Sequence, residues 1–94
     1  MMNRLVLSAS IVERGGMRYT PAGLPALDLR LAHESTVTEA GHPRQVRMEL
    51  RSVVIGPMAE RLNRIELGVP QQFAGFLAAQ RNGRGVVFHI TELL

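Results

Sequence analysis

Apolar side chains recur at every second position through three stretches of this chain, and glycine or proline follows each stretch. Leu5, Leu7, Ala9 and Ile11 fall on one side, with Ser8 and Ser10 on the other. Leu27, Leu29 and Leu31 alternate with Asp28 and Arg30, and Glu34 extends the polar side. Val46, Met48, Leu50 and Val54 oppose Gln45, Arg47, Glu49 and Arg51. A period of two describes strands that bury one face and wet the other.

Turn chemistry divides the chain further. The first strand covers residues 5–12, breaks at Gly15-Gly16 and resumes over Met17-Arg18-Tyr19-Thr20. Pro21-Ala22-Gly23 closes a hairpin, because proline presets one dihedral and glycine tolerates positive φ. A second strand spans 26–34. Residues 35–43 lose periodicity, carry Gly41 and Pro43, and are expected to form a loop. The third strand runs from Arg44 to Ile55.

Gly56-Pro57 stops the third strand and suits a helix start. Met58, Leu62 and Ile65 recur at helical spacing, and the helix should end near Gly68. A fourth strand over 69–79 holds Phe73 and Phe76, both expected in the core, with Gly75 between them at a natural bulge. Arg81-Asn82-Gly83-Arg84-Gly85 forms a hairpin connection in which Asn-Gly favours a primed turn, and Val86 to Leu93 completes a fifth strand. The expected fold is all-β with one short helix between the third and fourth strands, which is the five-stranded OB-fold barrel. Residues 1–94 read as one domain, and an SH3-like barrel is the alternative.

Composition narrows the chemistry. The 94 residues include no cysteine, so no disulfide, thiolate nucleophile or sulfur-ligated metal site can be built. No apolar run approaches the roughly 20 residues that cross a membrane, and the alternating start is unlike a signal-peptide core. A cytoplasmic location is expected. His33, His42 and His89 form no close-spaced ligand pair, so neither metal nor cofactor is expected. Ser35 and His33 share a strand face, yet no acidic third member is marked. The glutamates are dispersed, which leaves paired-carboxylate catalysis unsupported. An enzyme is not expected.

The net charge is +3, and all 11 basic residues are arginine. A coding bias accounts for the missing lysine, but guanidinium groups fork onto phosphates and stack on bases whatever their origin. Arg44, Arg47 and Arg51 belong to the third strand, and Arg30 to its neighbour. Arg18 and Tyr19 sit in the first hairpin; Arg81 and Arg84 sit in the last. In an OB barrel these elements frame the nucleic-acid groove. The plain alternative is that outward strand positions must be polar and arginine is the only cation available. Tyr19, His42 and the arginine planes are the expected stacking groups. Binding should therefore lean on phosphate charge and depend strongly on salt.

Several segments together resemble a known family, the primosomal replication protein N family of bacterial replication restart. They are Asn3-Arg4-Leu5-Val6-Leu7-Ser8, Arg18-Tyr19-Thr20-Pro21-Ala22-Gly23-Leu24-Pro25 with Leu27-Asp28-Leu29, His33-Glu34-Ser35, Glu39-Ala40-Gly41, Arg44-Gln45, and Phe73-Ala74-Gly75-Phe76-Leu77-Ala78. The similarity spans nearly the whole chain, and the hairpin segment is its most specific part. The resemblance implies an OB fold, a homodimer and a non-catalytic accessory role on single-stranded DNA. It further implies stabilising a restart helicase and promoting loading of the replicative helicase at stalled forks. It points to the positions of Arg18, His42, Arg44, Arg47, Arg81 and Arg84 as binding residues. Some relatives carry aromatic rings where His42 and Arg47 stand, and lysines in the last hairpin. Two alternatives stay open: an OB-fold protein–protein adaptor with weak or secondary DNA binding, and a general single-strand-binding protein.

Overall fold

Alternation becomes burial in the computed structural model, which describes residues 1–94. Strand β1 (Leu5–Arg14) buries Leu7, Ala9 and Ile11; β3 (Pro25–Glu39) buries Leu27, Leu29 and Leu31. Strand β4 (His42–Ile55) adds Val54, β5 (Pro70–Ala79) adds Phe73, and β6 (Val86–Leu93) adds Phe88 and Ile90. The helix α1 (Met58–Asn63) lowers Ala59 and Leu62 onto the same core. Removing the Leu62 side chain from water contributes roughly 2 kcal/mol.

The sheet closes on itself. β1 pairs antiparallel with β5 from Leu5 to Ser10 and with β3 from Ser10 to Arg14. β5 pairs with β6, β6 lies parallel to β4 through Ser52↔Phe88 and Val53↔His89, and β4 pairs with β3. The two-residue β2 (Arg18–Tyr19) continues the line of β1 along β3. The first strand is thus a bent ribbon interrupted at Gly15-Gly16, as its sequence predicts. A closed five-stranded barrel with its helix between the third and fourth barrel strands is the OB fold.

Four local expectations need correction. Residues 35–43 are not a loop: β3 and β4 pair without interruption from Ala26↔Ile55 to Glu39↔His42. The turn is only Ala40-Gly41, with φ of 52° and 80°, the left-handed pair that a tight hairpin needs. Periodicity fails there because this arm extends past the core and water wets both of its faces. Met48, expected inside, accordingly stands exposed on the arm. Phe76 is not core but outward and 38% exposed. Nor does Asn82-Gly83 form a primed turn. Only Gly83 and Gly85 have positive φ in that connection, and the Gly83 N–H closes a turn on the Gln80 carbonyl at 2.9 Å.

Two contacts fix the rest. The Arg14 guanidinium donates to the Leu62 and Ile65 carbonyls at the end of α1, where carbonyls lack helical partners. Gly75 lies at the β5–β6 register shift, as expected of a bulge. A Cβ there would sit 1.8 Å from the His89 carbonyl oxygen, so the strands can approach only without a side chain. Gly75→Ala is expected to destabilise the fold by about 2 kcal/mol or more, the cost of forcing an atom into a packed site. Urea denaturation should show the midpoint falling accordingly.

Candidate nucleic-acid interface

A groove runs across the barrel between the first hairpin and the last. Arg18, Tyr19 and Pro21 form one wall, Arg51, Val53 and Ile55 of β4 the floor, and Gln80, Arg81, Val87 and His89 the other wall. Each position follows from the pairing. Asp28 of β3 faces Val53 of β4, and Val53 in turn faces His89 of β6, so one outward row crosses the floor. The charged lining residues are Arg18, Arg51 and Arg81 against Asp28 alone, a net of +2.

The arginines differ in how far they are engaged. Arg18 forks onto Asp28 through bonds of 3.0 and 3.2 Å. That hydrogen bond, then the attraction of the carboxylate, holds the guanidinium above its ordinary pKa. Arg51 meets only the neutral Gln80 amide oxygen, at 3.4 Å. Arg81 and Arg84 meet no carboxylate within 4 Å, and the Arg84 backbone N–H is held by Asn82 Oδ1 at 2.9 Å. Tyr19, on the wall of Arg18, is 68% exposed.

The expected basic strip along the second and third barrel strands is instead a chequerboard. Arg30 is held by Glu13 at 3.3 Å and Glu49 at 3.7 Å, and Arg47 by Glu34 at 3.2 Å. Outside the groove, on the shared outward face of β3 and β4, Arg30 and Arg47 are matched by Glu34 and Glu49, a net of zero. Arg44 pairs with Glu39 at 2.9 Å. His42 begins β4 at the arm tip, nine residues from Arg51, or about 30 Å along a strand rising about 3.3 Å per residue.

Among the sequence-derived residues, then, Arg18, Tyr19, Arg51 and Arg81 line one groove, and Arg84 shares the hairpin of Arg81. Arg30 lies next to Arg51 across the ladder. His42, Arg44 and Arg47 are strung along the arm. His89, Gln80 and Val53 also line the groove and were not anticipated; the strand parity of His89 was the available signal. His33 engages both ring nitrogens, one with the Ser8 carbonyl oxygen at 2.6 Å and the other with Ser35 Oγ at 2.8 Å. The member behind this Ser-His pair is a neutral carbonyl rather than a carboxylate.

Comparison with known proteins settles the family. Residues 3–92 match the model described as another single-strand binding protein family. The chain belongs to that family. It is 49% identical over 92 residues to the replication restart protein PriB of Bordetella pertussis, covering 97% of this chain and 86% of the relative. The solved structure of PriB from Ralstonia solanacearum superposes with a TM-score of 0.91 at 41% identity, covering 100% of this chain and 97% of that one. The single-stranded DNA binding protein of Thermus aquaticus superposes with a TM-score of 0.74 at 30% identity, covering 99% of this chain and 50% of that one.

Asp28 is the one carboxylate of the groove, so removing its charge should strengthen attraction of a polyanion. For Asp28→Asn we expect labelled oligo-dT to bind about two- to fivefold tighter in low salt, the scale of one exposed pair. Fluorescence anisotropy should show the gain shrinking as added salt screens it.

Proposed function

We propose that this chain is a non-enzymatic accessory protein of the replication-restart primosome, which lays single-stranded DNA in the groove between its first and last hairpins. Arg18, Arg51, Arg81 and Arg84 meet phosphates there, and Tyr19 meets a base. Arg30 flanks the floor, and His42, Arg44 and Arg47 on the arm offer a second, weaker stretch of contact. On this reading residues 1–94 act as one OB domain in the cytoplasm, and two copies form a homodimer. The protein stabilises the restart helicase on DNA and promotes loading of the replicative helicase at stalled forks.

One observation carries the DNA assignment. The net charge of +2 gathers in a concave groove, whereas the adjoining outward face of β3 and β4 is neutral. Positive charge lining a cleft concentrates a polyanion there. The Ser8 carbonyl behind His33 supports the absence of catalysis, since it cannot stabilise an imidazolium as a carboxylate does. The relatives named for replication restart support the primosome role.

A second reading has its own support. Arg44 and Arg47 each face a carboxylate, which suits the arm to a protein adaptor surface as well as to DNA. Three measurements test these readings, and the first separates the two. Anisotropy with oligo-dT should show log affinity falling with log salt by about 0.7 per phosphate contacted, and Arg51→Ala with Arg81→Ala should reduce that slope by about 1.4. An unchanged slope would transfer weight to the adaptor reading. Sedimentation should find a species of twice the 10.4 kDa chain mass. Retention of the restart helicase on immobilised protein tests the primosome role.

A further inference from the structure

Phe76 and His89 are cross-strand partners on the outward side of β5 and β6. Their rings stack with centroids 4.7 Å apart and planes within 8° of parallel. His89, not Phe76, lines the groove, where it shares the surface with Val53, Val87, Arg51 and Arg81. Phe76 therefore backs the imidazole from the side away from the groove. The floor beside His89 is Val53, a small side chain that is itself buried. The result is a rigid aromatic slab on a wall whose flanking charges are guanidinium groups.

We infer that the His89 ring, backed by Phe76, is the stacking platform for one base of the strand held in the groove. This rests on the groove being the DNA path, and it adds a second base contact, on the wall opposite Tyr19. Every base presents a π-face, so such a platform serves without regard to sequence. Offset parallel stacking is a favoured geometry for flat rings, and the Phe76–His89 pair already holds that geometry. Because Phe76 fixes the imidazole beforehand, little side-chain freedom is lost when a base arrives.

The test uses the full chain, labelled oligo-dT, and a dT strand carrying one 2-aminopurine, whose fluorescence is quenched on stacking. His89→Ala should bind oligo-dT about tenfold more weakly at fixed salt, as expected for one lost base–ring stack. The slope against salt should stay unchanged because no phosphate contact is lost. Quenching of 2-aminopurine on binding should weaken in His89→Ala, where Tyr19 is the ring that remains, and recover in His89→Phe. If circular dichroism shows His89→Ala unfolded, His89→Val takes its place, keeping strand propensity while removing the ring. Wild-type affinity and quenching in the ringless variant would overturn the platform while leaving the groove standing. A reduced salt slope would equally overturn it, by making His89 a phosphate contact. Failure of the unmodified protein to bind oligo-dT would instead remove the DNA path itself.

Discussion

Ser10 is the point on which this barrel closes. It pairs with Pro70 on one side and Ala32 on the other, so β1 hands over from β5 to β3 there and leaves the ring of strands complete. A closed sheet has no long free edge within the ring to satisfy, and its interior can be filled by side chains from all five strands. Closure also makes the groove. The parallel pairing of β4 with β6, two residue pairs long, brings the last hairpin beside the floor that β4 provides. The extension of β1 into β2 brings Arg18 and Tyr19 to the opposite wall. Residues far apart along the chain face one another across Val53 for this reason alone.

Charge on this surface is arranged by pairing rather than by amount. Arginines opposite or diagonal to glutamates on a ladder gain from their neighbours and present little net field to a distant anion. Those at the turn of the last hairpin have no acidic neighbour and keep their field intact. Eleven arginines against eight carboxylates would give a weak attraction if spread evenly. Concentrated in one cleft, the excess acts on a strand at a range set by the roughly 8 Å screening length of physiological salt.

The strands were legible because a core imposes alternation on whatever packs against it. Leu27, Leu29 and Leu31, and Leu7, Ala9 and Ile11, announce both the strand and its buried face. The arm has no core on either side, so Ser35 to Pro43 carry no such imprint and read as a loop. That one misreading hides a second feature. Without the two-residue turn at Ala40-Gly41, the register is unknown, and nothing in the sequence then sets Glu34 beside Arg47. Phe76 is a different case. Alternation puts Phe73, Gly75 and Leu77 on one side and Phe76 on the other, and apolar composition is a poorer guide than that parity. Its stacking against His89 depends on the register of two distant segments, which only the closed barrel defines.

The long ladder between β3 and β4 has a consequence for the order of assembly. Its strands are neighbours in the chain and meet through a two-residue turn, so loop closure costs them little, and hairpins of this kind form within microseconds. β1 must find β5 across the seventy positions that separate Leu5 from Gly75, a far slower search. The hairpin is thus the template on which the remaining strands collect, and the opening residues of the chain are among the last to find their place.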